Sequence, residues 1–247
     1  MRKFGLIGYP LGHSFSKKFF TEKFSKEEIT DSSYENYPIF TIEELPGLIA
    51  ADHLLCGLNV TIPYKTTVMQ FLDEIDNEAS LAGAVNVLKI IRDGDKINLI
   101  GYNSDITGIE DSLTGLLRPD IKSALVLGTG GSSKAVCYAL RKLSVDYTLI
   151  SRSPKTGCLT YSDITGSMLN DHLLIINTTP LGMFPDVQSK PDLDYNQLGE
   201  NHVLFDLVYN PEFTLFLRMG KERGATVLNG LKMLERQAER SWEIWNE

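Results

Sequence analysis

The chain has 247 residues, 43% hydrophobic and 23% charged, enough for one large core or for two modest domains, with no low-complexity tract. A formal net charge of -8 without any run of Lys or Arg argues against nucleic acid or an anionic membrane as a partner, and leaves small molecules bound in an enclosed site where local donors outweigh the global field. Cys56, Cys137 and Cys158 show no CxxC spacing and no histidine cluster nearby, so they read as free thiols of a reducing cytoplasm rather than disulfides or metal ligands. The N-terminal stretch M-R-K-F-G-L-I-G-Y-P has no sustained apolar run before Pro10, and no segment approaches the length of a membrane span.

In the first hundred residues strand and helix signals alternate. Residues 3–7 read as a strand, followed by a Gly/Pro loop and a helix over 16–24 whose apolar stripe is Phe15, Phe19, Phe20 and Phe24. Residues 34–40 read as a second strand, and Thr41 opens a helix with a capping box completed by Glu44. Residues 57–62 are strand-like, and Pro63 is expected to start a helix that carries Lys65 and ends near Leu72. Two strands, 84–91 and 96–102, join around Asp93-Gly94 as a hairpin.

From about Asp105 the pattern changes. Residues 124–127, 148–150, 173–176, 203–207 and 226–228 are short, wholly apolar runs of the kind buried on both faces of a parallel sheet. Glycine turns and helical stretches separate them, which is the pattern of a doubly wound α/β domain. Residues 230–245 form an amphipathic helix with Leu231, Leu234, Ala238, Trp242 and Trp245 on its apolar face. A helix left over after the last strand can return to the first domain and make that domain discontinuous.

The segment L-V-L-G-T-G-G-S-S-K-A, residues 125–135, is a strand, a glycine turn and a helix start. Gly128 permits the tight turn, Gly130 lets backbone approach a pyrophosphate, and the helix N-terminus offers amides to an anion. The third fingerprint position is Ser133 rather than Gly, so the strand before and the helix after carry the reading. The next strand ends in Ser151-Arg152-Ser153, where an NAD enzyme usually places an acid for the ribose hydroxyls. Arg152 can instead pair with a 2'-phosphate, which points to NADP; a solvated surface arginine is the alternative.

Polar residues also collect where apolar strands end in the first half. Ser14 and Ser16 flank Phe15 at a helix start and could hold a carboxylate, or Ser16 could simply cap the helix. Asn59 and Thr61 share one strand face just before Lys65, which by itself could be no more than a solvated lysine. Asn86 interrupts an apolar strand, and Asp105 sits where a helix would begin, with N-capping as the alternative role.

These clusters carry a resemblance. H-S-x-S, N-V-T-x-P-Y-K, G-A-V-N, G-x-N-S-D-x-x-G, G-T-G-G-S-S-K-A, N-T-T-P-L-G-M, D-L-V-Y-N-P-x-x-T and N-G-L-x-M-L-x-x-Q resemble, in order and across essentially the whole chain, the shikimate dehydrogenase family. The resemblance implies two α/β domains with the active site in the cleft between them. Residues 1–104 with 230–247 would form a substrate-binding catalytic domain, and residues 105–229 a Rossmann-like NADP-binding domain. It implies reversible NADPH-dependent reduction of 3-dehydroshikimate to shikimate, on the route to chorismate and aromatic amino acids. Lys65 and Asp105 match the family's catalytic pair. Ser14 and Ser16 would bind the substrate carboxylate, with Thr61 lining the same pocket; Asn86, Asp105 and Gln237 would hydrogen-bond the ring hydroxyls, and Asn59 and Tyr209 would complete the substrate site. Gly128, Thr129, Gly130, Gly131 and Ser132 would hold the pyrophosphate. Arg152 would meet the 2'-phosphate, and Ser151, Ser153, Thr178, Gly230 and Met233 would complete the cofactor site. No metal is expected, and the partner is the small-molecule substrate, with the chain a monomer or homodimer in the cytoplasm. A quinate/shikimate dehydrogenase with relaxed cofactor use, and a non-catalytic NADP-binding regulator of the same fold, are the alternatives. One departure from the family is that residues 154–171 are short and polar, with Gly157 and Gly166, so the usual helix after the cofactor-selecting strand is expected to be missing or reduced to a turn. Another is Lys155, which lies near but out of register for the family's further basic residue.

Overall fold

Residues 1–11, 15–94 and 96–247 are described by the structure, a computed structural model. They divide into two units, Met1–Thr107 with Glu235–Glu247, and Gly108–Leu234.

In the first unit, β1 (Arg2–Gly8), α1 (Phe15–Lys26), β2 (Ser32–Pro38), α2 (Leu45–Ala51), β3 (Leu55–Val60), β4 (Glu74–Ile75), α3 (Asn77–Ala82), β5 (Val87–Asp93) and β6 (Lys96–Tyr102) precede α4 (Ser104–Leu113). The sheet order is β2-β1-β3-β5-β6-β4. β1 pairs in parallel with β2 and β3, while β3, β5 and β6 pair antiparallel. The period of two along β1 sets its two cores. Phe4 and Leu6 pack with Phe20, Phe24 and Tyr34, whereas Ile7 joins Leu45, Ile49, Leu58, Val60 and Leu88. Fully burying such side chains contributes about 1.5–3 kcal/mol each. The Thr41–Glu44 capping box forms, but around a short 3-10 turn, Ile42–Glu44, that leads into α2. The hairpin at Asp93-Gly94 is also present, with Asp93 paired to Lys96.

Two expectations fail here. No helix starts at Pro63: Lys65 lies in a turn, and a 3-10 turn follows at Thr67–Phe71. An α-helix would need the Lys65 carbonyl to accept from the Met69 amide. The Val85 amide takes that carbonyl at 2.7 Å, and Met69 bonds to Thr66 instead. The strand expected over 84–91 starts only at Val87, so Asn86 precedes it rather than interrupting it. The amides of Ala84 and Val85 are used on Ala79 and Lys65, outside the sheet ladder.

The second unit runs through β7 (Ser123–Leu127), α5 (Gly131–Lys142), β8 (Asp146–Ser151), β9 (Leu159–Thr160), α6 (Gly166–Asp171), β10 (Leu174–Asn177), β11 (Val203–Asp206), α7 (Leu215–Glu222) and β12 (Thr226–Leu228). Its sheet order is β12-β11-β10-β7-β8-β9, with all five neighbouring pairs parallel. This is the doubly wound dinucleotide-binding order, and the protein is an α/β protein with a Rossmann-like half. The apolar strands bury Leu125, Leu127, Ile150, Ile175 and Leu204 around Phe216 and Leu217. After β8 the chain runs through turns at 152–158, β9 and a 3-10 turn, Tyr161–Asp163, and the helix expected to be missing or reduced to a turn is instead present as the six-residue α6 before β10. Pro154 lacks an amide proton for a helix, and Gly157 turns the chain at φ +76°.

The final helix, α8 (Leu231–Asn246), buries Ala238 and Trp245 of the expected apolar face and half-buries Leu234 and Trp242, but its buried face extends further round than the apolar spacing predicts. Met233, Gln237, Ala238, Ser241, Ile244 and Trp245 are buried, and Leu231 is exposed. The difference arises because Gln237 and Ser241 have polar partners waiting in the first unit. Trp245 anchors this end of α8: its indole N–H donates to the Leu88 carbonyl at 3.0 Å, and its ring stacks on Phe4 at 4.7 Å. A Cβ on Gly57 would overlap that indole, so only glycine fits beneath it.

Candidate active site

In the first unit a buried network of side chains converges on Lys65. The Lys65 ammonium donates to Asp105 Oδ2 at 2.6 Å, and Asp105 Oδ1 accepts from Asn86 Nδ2 at 2.8 Å. The lysine side chain is 13% exposed and the aspartate 5%, so water and salt screen this pair far less than a surface pair. Asp105 lies inside the first turn of α4, which starts at Ser104; both carboxylate oxygens face Asn86 and Lys65 rather than capping the helix. Asn86 cannot flip, because the Ser104 amide donates to its Oδ1 at 2.7 Å and thereby leaves its NH2 for Asp105. That NH2 group also lies 3.4 Å from Gln237 Oε1.

Behind these groups runs a second layer whose members Tyr34, Ser104 and Ser241 composition and spacing did not announce. Ser241 of α8 donates to the Gln237 carbonyl at 2.8 Å, accepts from Asn59 Nδ2 at 2.9 Å, and meets Ser104 Oγ at 3.1 Å. The Ser241 proton is spent on Gln237, so Ser104 is the donor of that pair. Tyr34, whose pKa burial pushes far up, donates to Asn59 Oδ1 at 2.8 Å. Ser16 bonds in turn to Tyr34; because the phenol proton goes to Asn59, the Ser16 hydroxyl is the donor. Ser16 lies within α1 and is occupied there, not as its cap. Ser14 lies outside the described residues.

Asn59, Lys65, Asn86, Asp105 and Gln237 are thus brought into one network, with Ser16 joined through Tyr34. Thr61 is half-buried just beyond β3, where its amide donates to Ile7 O at 2.9 Å; it shares no hydrogen bond with Lys65 or Asp105 among those described. Tyr209 belongs to the second unit, half-buried after β11, and burial raises its pKa. The one sequence signal for the missed Ser241 is its i+4 spacing from Gln237, which puts two polar side chains on one helical face. For Ser104 it is its place inside G-x-N-S-D.

The second unit gathers backbone instead. Gly128 sits at φ +111°, and a Cβ there would lie 2.6 Å from Thr178 Oγ1, so glycine is required twice over. Thr178 donates through both its amide and its hydroxyl to Leu127 O, at 3.0 and 2.7 Å. α5 begins after Gly130, where a Cβ would meet nothing within 4 Å, and glycine at the cap brings no side chain to fill the approach to the helix amides. Ser133, the imperfect third position, is buried with its hydroxyl on Gly130 O at 2.7 Å, which explains why a residue larger than glycine fits. Ser151 is buried at the end of β8, while Arg152 and Ser153 are exposed just beyond it. Gly230 and Met233 open α8; a Cβ on Gly230 would overlap the Leu207 carbonyl, and Met233 is buried. An anion-accepting helix start, an open glycine turn and a guanidinium after the second strand together fit a phosphorylated dinucleotide.

A family model described as the shikimate dehydrogenase substrate binding domain matches residues 6–88. A shikimate dehydrogenase (NADP(+)) of Methanococcus aeolicus is 36% identical over 261 residues, spanning 98% of this chain and 90% of its own length. The chain belongs to the shikimate dehydrogenase family. Solved structures of shikimate dehydrogenases agree over both units. One in complex with NADP+ is 34% identical with a TM-score of 0.85, covering 99% of this chain and 89% of that one. The shikimate 5-dehydrogenase of Thermus thermophilus in complex with NADP(H) and shikimate is 30% identical with a TM-score of 0.86, covering 99% and 93%.

Proposed function

We propose that this shikimate dehydrogenase catalyses the reversible, NADP-dependent reduction of 3-dehydroshikimate to shikimate, with Lys65 and Asp105 as its catalytic pair. The observation that carries the reading is the nearly buried Lys65–Asp105 ion pair at 2.6 Å, with Asn86 on the second carboxylate oxygen. When bound, the nicotinamide would supply the hydride. Reduction then leaves negative charge on the former carbonyl oxygen, and the Lys65 ammonium stabilises that charge and donates the proton. In the reverse direction the same nitrogen takes the hydroxyl proton. Asp105 keeps the ammonium from swinging into solvent and offers an acceptor to a ring hydroxyl. Asn86, whose amide the Ser104 N–H orients, and Gln237, whose side-chain oxygen faces the Asn86 NH2, hold the other ring hydroxyls.

Ser16, with Ser14 and Thr61, anchors the substrate carboxylate; the Ser16 hydroxyl turns from Tyr34 to do so, leaving Tyr34 its bond to Asn59. Residues 128–132 and Thr178 hold the pyrophosphate region, and Arg152 meets the 2'-phosphate. The first unit, Asp105 included, serves the substrate, and the Rossmann-like half serves NADP. The reading places the enzyme in the cytoplasm, supported by three cysteines that are all unpaired. Among the described residues no helix is long and apolar enough to cross a membrane.

The decisive experiment is oxidation of NADPH with 3-dehydroshikimate, run beside quinate with NAD. Rapid turnover of the first pair is expected. Turnover confined to quinate and NAD would convert the reading to a quinate enzyme, and NADP binding with no turnover of either would make the protein a regulator.

A further inference from the structure

The second unit contains a buried carboxylate that the reaction does not use. Asp206 ends β11, fully buried, and accepts three hydrogen bonds: from Asn177 Nδ2 at 2.9 Å, the Val208 amide at 3.0 Å and the Thr214 hydroxyl at 2.6 Å. Asn177, equally buried, ends the neighbouring strand β10. A carboxylate can only accept, so Asp206 fixes the Asn177 amide with its NH2 toward β11 and its oxygen toward the following loop. That oxygen accepts from the Thr179 amide at 3.0 Å and from the Thr179 hydroxyl at 2.6 Å, while the NH2 also reaches Leu181 O at 3.3 Å. The segment so held is the wall of the glycine turn. A Cβ on Gly128 would lie 2.6 Å from Thr178 Oγ1 and 2.9 Å from Thr179 Cγ2.

We infer that Asp206 and Asn177 are positioning residues for cofactor binding: the buried carboxylate sets the Asn177 amide, and the amide sets Thr178 and Thr179 against Gly128. The inference rests on the reading that NADP occupies the glycine turn. The carboxylate gives the amide one orientation where an apolar neighbour would allow two. A flipped amide would present NH2 to the Thr179 amide, donor against donor, and the loop would have to leave the turn.

The test compares NADP+ affinity by titration with steady-state KM for shikimate. In Thr179→Val, a half-buried position that keeps its volume, NADP+ affinity should fall about three- to tenfold, the value of one hydrogen bond, with shikimate KM within about twofold of wild type. Asp206→Leu should weaken NADP+ more, by about tenfold or above, and Asp206→Asn should recover most of it, since its amide oxygen can still accept from Asn177 and its NH2 can donate to Thr214. A merely structural role would lower stability without separating the two ligands and without rescue by Asn. Wild-type affinity for NADP+ in Thr179→Val overturns the inference, whether or not Asp206→Leu folds. Failure of the wild-type enzyme to bind NADP+ at all would instead overturn the functional reading.

Discussion

The two candidate ligand regions are built in opposite ways. In the first unit, side chains from β2, β3, the turn after β3, α4 and α8 meet in one buried network around Lys65 and Asp105. In the second unit the glycine turn is one contiguous strand-turn-helix whose surface is mostly backbone, backed by a single buried acid. The difference teaches where each kind of chemistry is kept. Proton transfer needs one titratable group in one place, and only a cross-braced set of side chains fixes such a group to within a fraction of an ångström. Pyrophosphate binding needs several amides at once, and a local turn supplies them with little help from afar. Damage should therefore fall on turnover in the first region and on cofactor affinity in the second.

The largest expected effect breaks that comparison if it fails. Lys65→Met keeps most of the stem and removes the ammonium, so kcat should drop about 10²–10⁴-fold while circular dichroism stays that of the wild type. Asp105→Asn should also depress kcat, with a larger rise in shikimate KM, and the double variant should be far from additive because the pair works as one unit. Near-normal kcat in folded Lys65→Met would return Lys65 to the solvated lysines.

Next comes the buried acid of the second region. Burial pushes the Asp206 carboxyl up to about 6 from 3.8, against the opposing pull of its three donors; Tyr195 is the ionisable neighbour that feels its charge. Because the folded value is the higher one, the carboxyl favours the fold most when protonated. That contribution is complete below the unfolded pKa of 3.8 and is lost as pH rises through about 6. It amounts to about 3 kcal/mol across the window. Denaturant unfolding of wild type and Asp206→Asn at about pH 4 and pH 7 should show the variant gaining on the wild type by about that amount at the higher pH. A difference that does not move with pH would show that Asp206 is not desolvated as its burial requires.

Smaller effects sharpen the contrast. Arg152 is exposed, so Arg152→Ala should weaken NADP by only about tenfold, the lower end for a bond to a charged group, and leave NAD nearly untouched. Parallel losses for both cofactors would remove Arg152 as the selector. Ser241→Ala should be the mildest. Asn59 would keep its 3.4 Å contact to Asn86 O but lose the 2.9 Å bond to Ser241, and shikimate KM should rise a few fold, about the worth of one neutral hydrogen bond, with NADP KM unchanged. Equal rises in both KM values would make Ser241 a general stability residue.

How much of this was legible beforehand follows the same division. Local chemistry was readable in the sequence. The apolar runs became β7, β8, β10, β11 and β12, the glycine turn fell where G-T-G-G-S-S placed it, and Pro154 and Gly157 announced the shortened helix, because short-range sterics and hydrogen bonding decide such features. Motif resemblance also named Lys65, Asp105, Asn86 and Gln237. Tertiary structure alone decided what holds them. The helix expected at Pro63 gave way because an amide about twenty residues on, that of Val85, took the Lys65 carbonyl. The buried face of α8 widened beyond its apolar stripe because Asn59 and Ser104 offered partners to Ser241 and Asn86 offered one to Gln237, all far off in sequence. A buried polar group costs free energy unless a specific partner meets it, and that partner's position is set by the whole fold, not by the residues alongside it.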